Sequence, residues 1–130
     1  MHHSGDNRLG GKGRDDEKIH LDLEKVSERS KELFITANMY TEDKTFEHVL
    51  AAEIRICASG PEDAEGFDFE PGQELCRYDF KRGLNTTGLV FAKFIRTGKK
   101  WSYVVICKPC GGRSATNEVV IDACKACEHF

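Results

Sequence analysis

Oxygen-bearing side chains are concentrated near the start of this chain, in two clusters separated by glycines. The first cluster is Asp6 and Asn7, and the second is Asp15, Asp16 and Glu17. The glycines beside and between the clusters let the backbone take positive φ angles, so the two clusters can converge on one point. Carboxylates held that close together repel unless a hard cation lies between them. The spacing therefore predicts a candidate cation site.

Calcium is the ion that suits such a loop best. It takes about six to eight oxygens in a flexible geometry, whereas magnesium demands a near-ideal octahedron. The span from Asp6 to Glu17 is that of an EF-hand loop, with Gly11 at the glycine position of that motif. Arg8 and Gly10 stand where two ligands belong, which excludes an EF-hand. The alternative that stays open is a solvated glycine-rich turn whose charged end opens a strand.

The order of residues in this segment is itself informative. Residues 2–8 read His-His-Ser-Gly-Asp-Asn-Arg, the acids at 15–17 follow, and residues 19–23 read Ile-His-Leu-Asp-Leu. This series resembles the TerD family of tellurite-resistance and stress-response proteins, and the resemblance extends over residues 1 to about 106. Further positions match in order and spacing: Phe46, Val49, Ile54, Arg55, Glu74, Leu75, Arg77, Tyr78, Asp79, Thr87, Val90, Phe91, Phe94, Arg96, Gly98 and Trp101.

The resemblance implies a β-sandwich that binds calcium. In that family the loop acts together with an earlier Asp-Leu-Asp segment, which has no counterpart in this sequence. The resemblance implies that the calcium ligands are Asp6, Asn7, Asp15, Asp16 and Glu17. Gly11 and Gly13 replace acidic family positions, and Lys12 and Arg14 replace glycines, which makes the loop less negative and weakens its attraction for a dication.

Composition limits the classes of partner. The chain has 130 residues, 39% of them hydrophobic and 32% charged, which is ordinary for one globular domain. Its net charge of −3 comes without a basic stripe, so we expect no nucleic-acid partner. There is no apolar run long enough to span a membrane and no signal peptide, so we expect a cytoplasmic protein without a membrane span.

Alternating apolar and polar residues indicate a fold built from strands. Ranges 19–23, 52–56 and 76–80 alternate, and each predicts a strand with one buried face. Range 33–40 is apolar on both faces and predicts a central strand. Ranges 88–95 and 101–107 flank a Thr-Gly-Lys-Lys turn and predict a hairpin. The fold class expected is all-β, an antiparallel β-sandwich incomplete at its amino terminus.

The missing amino-terminal strands have a consequence for the sheet that remains. A sandwich without its first strands exposes a sheet face, which a homodimer, a partner chain or the carboxyl extension would cover.

Residues 58–74 contain six acids and no base, which predicts a solvated insertion; a second cation site or a partner contact is the alternative.

The end of the chain carries a separate metal signature. Cys107 and Cys110 form one C-x-x-C pair, and Cys124 and Cys127 form another after a thirteen-residue spacer. Four cysteines in this pattern predict a tetrahedral zinc site, with 107–130 as a zinc-ribbon-like tail beyond a domain of residues 1–106. Residues 117–122 would be the strand that returns the chain to the second pair. Unligated thiols and a redox C-x-x-C are the alternatives. The remaining cysteines, Cys57 and Cys76, are expected to be small buried hydrophobes.

No catalytic arrangement can be assembled from the spacing of nucleophiles, bases and acids, and no phosphate-binding glycine motif is present. The function predicted is a non-enzymatic, TerD-like stress-response protein that binds calcium through the acidic loop. One alternative is a zinc-stabilised interaction module whose calcium site is degenerate. The other is a thiol redox protein.

Overall fold

The computed structural model describes residues 2–3, 19–48, 53–57, 74–79 and 84–128. Strands dominate these ranges, and they are β1 (His2–His3), β2 (Ile19–His20), β3 (Glu32–Asn38), β4 (Glu53–Cys57), β5 (Glu74–Asp79), β6 (Gly88–Thr97) and β7 (Lys100–Cys110). One α-helix in the same ranges, α1, spans Glu118–Ala126. The sheets are antiparallel, which confirms the predicted all-β class and is consistent with a β-sandwich. No helix in the part described is long and apolar enough to cross a membrane.

The chain divides into two compact units. One comprises Met1–Ser27 and Ile56–Leu75, and the other comprises Glu28–Arg55 and Cys76–Phe130. The first unit contains the pair β1–β2. The second contains a three-stranded sheet in the order β3-β6-β7, and β4 pairs with β5 in a further two-stranded sheet. The predicted division after residue 106 stays a prediction, and β7 continues past that point to Cys110.

β6 is the central strand of the three-stranded sheet. Its first half is fully buried, with Leu89, Val90, Phe91 and Ala92 at 0% exposure. Because alternate residues of a strand face opposite sides, both faces of β6 are covered here. Among the strands that the structure describes, β3 lies at an edge of this sheet, and its residues are all half-buried. The prediction that range 33–40 forms a central strand is therefore not confirmed in the described part of the chain, where the continuous apolar run of β6 takes that place.

The predicted hairpin is confirmed. β6 and β7 are joined at Gly98, whose φ of +64° favours glycine, and Thr97 pairs with Lys100. Arg96 and Trp101 are paired across the two strands, and their side chains also contact each other. The guanidinium of Arg96 lies over the Trp101 ring, 4.5 Å from its centroid.

The predicted strand over residues 19–23 is shorter than the alternation suggested. β2 ends at His20, and a 3-10 helix occupies Leu23–Lys25. Asp22 lies at its N-cap, where the carboxylate accepts a hydrogen bond from the backbone N–H of Glu24 at 3.1 Å. The capping preference of aspartate therefore overrides the alternating pattern.

The tail forms a helix where a strand was predicted. The side chain of Asn117 accepts a hydrogen bond from the backbone N–H of Val119 at 2.9 Å and caps α1. Glu118 lies in the first turn and Lys125 in the last, which suits the helix dipole. Val120 is buried. The expected return strand at 117–122 was thus wrong, and the zinc-ribbon-like tail stays a prediction.

Arg113 fixes the loop that follows β3. Its Nη1 donates to three backbone carbonyls in that loop, those of Met39 at 3.3 Å, Thr41, and Lys44 at 2.8 Å. Asp43 lies in the same loop with a φ of +60°. A single guanidinium therefore supplies a charged donor to three carbonyls of this irregular segment, of which that of Thr41 also accepts the backbone N–H of Lys44 at 3.4 Å.

Replacing Arg113 by alanine should lower the free energy of unfolding by about 1–3 kcal/mol, because the three carbonyls lose a charged donor. Urea denaturation followed by circular dichroism measures this loss. Lys99→Ala is the matched control, since Lys99 is an exposed turn residue, and we expect its effect to stay within about 0.5 kcal/mol. Equal losses in the two variants would contradict the assigned role of Arg113.

Candidate functional site

The strand pair β1–β2 brackets the acidic loop. His2 pairs with His20 and His3 pairs with Ile19 in an antiparallel register. This pairing holds together the two ends of the segment formed by residues 4–18. The predicted calcium ligands in that segment lie outside the described residues: Asp6, Asn7, Asp15, Asp16 and Glu17. The ligand set therefore stays a prediction.

Asp22 is an acid of the same sequence motif that the structure does describe. Its carboxylate lies 3.3 Å from Nζ of Lys25 and also accepts the Glu24 N–H. The hydrogen bond from Lys25 lowers the pKa of Asp22 below its ordinary value, and the capping bond acts in the same direction. Asp22 is therefore engaged in a local helix cap.

The two cysteines of the first C-x-x-C pair lie in different surroundings. Burial raises the pKa of the Cys107 thiol, and the charge of neighbouring Cys76 raises it further. Burial also raises the pKa of Cys110, but there the neighbouring thiol is Cys127. Cys124 behaves like Cys110, since burial raises its pKa most, followed by Cys127 and then Cys110. Cys127 is thus the thiol whose charge raises the pKa of both Cys110 and Cys124, whereas the thiol that acts on Cys107 is Cys76.

β7 includes both residues of the first pair, but it is not a regular strand at Cys107. Its pairing with β6 shifts register between Val105 and Lys108, and Cys107 has a φ of +52°. The prediction that the strand ends at Cys107 was wrong, because β7 continues to Cys110. Within residues 2–3, 19–48, 53–57, 74–79 and 84–128, no group of three or more His, Cys, Asp or Glu side chains is arranged to hold a metal ion. A four-cysteine zinc site stays a prediction.

All six cysteines are free thiols in the structure. Cys57 and Cys76 were expected to be buried, and both are only half-buried. The thiol that is completely buried is Cys127, at the C-cap of α1. The least exposed cysteine, Cys127, is therefore buried by packing of the tail helix. The sequence had indicated burial for the cysteines in strand-like segments instead.

A buried lysine holds the end of α1, and the sequence analysis did not single it out. Lys93 of β6 is 0% exposed. Its Nζ donates to the backbone carbonyl of Cys127 at 2.9 Å and to that of Glu128 at 3.4 Å, and it forms an ion pair with Glu32 at 3.4 Å. The ammonium also lies 5.9 Å from the centroid of the Phe34 ring. We call this group the Lys93 clamp.

The Lys93 clamp combines two favourable effects. The last carbonyls of a helix lack intrahelical partners, and a cation there also meets the negative end of the helix dipole. Burying an ammonium is costly unless such partners compensate it. The signal in the sequence is a single lysine inside the apolar run of residues 89–95. The interaction was not predicted because the tail was expected to form a strand, and only a helix ends in a group of unpaired backbone carbonyls that a lysine can bind.

Comparison with known proteins gives the family. The family model described as the TerD domain matches residues 1–113. This chain belongs to the TerD family. The TerD match includes the acidic loop and ends before α1, so the Lys93 clamp joins a strand within the TerD domain to a helix beyond the matched residues.

Two curated TerD relatives set the scale of the similarity. The tellurium resistance protein TerZ of Serratia marcescens is 28% identical over 112 residues, which cover 86% of this chain and 52% of the relative. The stress response protein SCP2 of Bacillus subtilis (strain 168) is 26% identical over 110 residues, covering 82% of this chain and 50% of the relative. The chain therefore spans about half the length of these relatives. No solved structure matches the chain significantly.

Proposed function

We propose that this TerD protein is a non-enzymatic stress-response protein that binds calcium through its acidic loop. The ligands in this proposal are Asp6, Asn7, Asp15, Asp16 and Glu17. The observation that carries it is the TerD match over residues 1–113, which contains the whole loop. The names of the two relatives, one for tellurium resistance and one for stress response, support the biological class.

The strand pair β1–β2 supports the loop as a binding element. A flexible segment gains affinity when its ends are already held together, because less chain entropy is lost when the ligand binds. The pairing of His2 with His20 provides that closure for residues 4–18. Closure of the two ends by β1–β2 therefore favours binding by the acidic side chains between them.

Charge balance limits the affinity that we expect. Residues 4–18 contain four acidic and four basic side chains, so the segment as a whole has no net negative charge. Calcium affinity is tuned by the number of charged ligands and by the rigidity of the site. Binding must then depend on local convergence of the oxygens, and we expect a dissociation constant in the micromolar range or weaker.

Calcium should stabilise the protein against heat. A ligand that binds only the folded state contributes about 3 kcal/mol at a hundredfold excess over its dissociation constant. For a chain of this size, that corresponds to a rise in the midpoint of thermal unfolding of about 10 °C. The measurement is a thermal melt in excess calcium, in excess chelator, and in magnesium at the calcium concentration.

The double variant Asp15→Asn with Asp16→Asn should lose most of this shift. Glu24→Gln is the matched control, because Glu24 is an exposed acid outside the loop. Circular dichroism in chelator establishes that the variants fold. A midpoint that does not move between chelator and excess calcium would remove the calcium proposal for this chain.

A further inference from the structure

Two cysteines lie one turn apart at the end of α1. The backbone N–H of Cys127 donates to the carbonyl of Cys124 at 2.9 Å, which closes the last turn of the helix. Cys127 is 0% exposed, whereas Cys124 is half-buried. The same residue, Cys127, supplies the carbonyl that Lys93 binds most closely. A reaction between the two thiols therefore acts directly on the Lys93 clamp.

Helix geometry decides what such a reaction would do. The Cβ atoms of residues three apart on a helix are separated by about 5–6 Å. A disulfide requires about 3.5–4.5 Å between them, although the Cα separation of one helical turn is within its range. The bond can therefore form only if the last turn changes shape. That change moves the backbone of Cys127, whose carbonyl must then leave Nζ of Lys93.

We infer that Cys124 and Cys127 are an oxidative modification site whose disulfide releases the end of α1 from the Lys93 clamp. The site would react with low-molecular-weight disulfides such as glutathione disulfide. The inference does not depend on calcium binding, and α1 lies beyond the residues that match the TerD domain.

The reaction is a two-step thiol–disulfide exchange. Cys124 is the more exposed of the two; burial raises its pKa, so its thiolate fraction and the rate of the first step increase with pH. The Cys124 thiolate attacks glutathione disulfide; a mixed disulfide forms and one glutathione thiolate leaves. The thiolate of Cys127 then attacks the Cys124 sulfur, and the second glutathione leaves. Two protein thiols are oxidised by two electrons in total, one glutathione disulfide is reduced, and the two protons released by the protein thiols protonate the two glutathione thiolates. Because the product strains the turn, it is readily reduced again.

The covalent product can be identified directly. The reduced full chain is incubated with glutathione disulfide, its remaining thiols are alkylated, and it is digested with trypsin. Cleavage after Arg113 and Lys125 separates the two cysteines, so the expected product is peptide 114–125 joined to peptide 126–130. A link from either peptide to residues 101–113, which contain Cys107 and Cys110, would overturn the inference. So would glutathione adducts that never resolve into the link.

Amide hydrogen exchange tests the structural consequence. Oxidation should accelerate exchange at residues 126–128 at least tenfold and leave β6 unchanged. Cys124→Ser should abolish both the link and the acceleration, whereas Cys76→Ser, a half-buried thiol elsewhere, should preserve both. A disulfide that forms without faster exchange in the last turn would overturn the proposed release. The disulfide link and the faster exchange are both measured on the wild-type protein, so the test remains possible even if a variant fails to fold.

Discussion

Replacing Lys93 by alanine is expected to cost about 3–5 kcal/mol of unfolding free energy. The change removes a fully buried side chain from the central strand, which leaves a cavity between the Phe34 ring and the end of α1. It also removes the donor that satisfies the carbonyls of Cys127 and Glu128. Urea denaturation at equilibrium measures the loss. Lys100→Ala, an exposed lysine of β7, is the control and should lie within about 0.5 kcal/mol of wild type.

A second substitution separates packing from capping. Lys93→Met keeps most of the aliphatic volume and avoids burying a charge, while Glu32 is 29% exposed and can be hydrated. We expect a loss of only about 1 kcal/mol in global stability, together with faster amide exchange in the last turn of α1, since its carbonyls lose their donor. If Lys93→Ala and Lys93→Met were equally destabilising, the loss would come from the hydrogen bonds and ion pair, and the cavity argument would be wrong.

Replacing Gly88 by alanine should be the other large change, with a loss of about 2–4 kcal/mol. An added Cβ at this position would lie 2.6 Å from the carbonyl oxygen of Gly111 and 2.8 Å from Sγ of Cys110. The nearest atom belongs to the backbone, so no rotation of a side chain relieves the contact. The start of β6 or the end of β7 must therefore move, and both lie against buried residues.

Two other glycines provide matched controls for that substitution. Gly98→Ala meets no atom within 4 Å and costs only the positive φ of the turn, about 1 kcal/mol. Gly111→Ala makes one contact with Val119 at 3.4 Å, and we expect a change within about 0.5 kcal/mol. Thermal or urea denaturation of the three variants ranks their losses of unfolding free energy. A Gly88→Ala protein as stable as Gly98→Ala would show that the strand ends can separate freely.

The sequence predicted the strands whose signals are local. The hairpin at Gly98 needs only a turn residue between two apolar runs, and β4 and β5 lie where alternation indicated. The position of β3 at a sheet edge could not be predicted in the same way. Strand order depends on which apolar run can be covered on both faces, and that depends on elements distant in sequence, such as α1.

The candidate sites also differ in whether their residues are close together in the sequence. The acidic loop is readable because its ligand types are adjacent in sequence, although its geometry lies outside the described residues. The spacing of the four cysteines predicted one metal centre, but β7 has a register shift and a positive φ at Cys107, and the capping by Asn117 makes the tail helical. The Lys93 clamp depends on that helix, so no pattern within β6 alone could reveal its partners.

The pairing of β3 with β6 has a consequence for synthesis on the ribosome. Glu32 of β3 and Lys93 of β6 are 61 residues apart in sequence, whereas β6, β7 and α1 follow one another directly. At about 5–20 residues per second, β3 leaves the ribosome about 3–12 s before its partner strand is complete. During that interval its backbone has no β6 to pair with. The hairpin and helix can form rapidly from local contacts, so attachment of β3 is the slow, long-range step of folding.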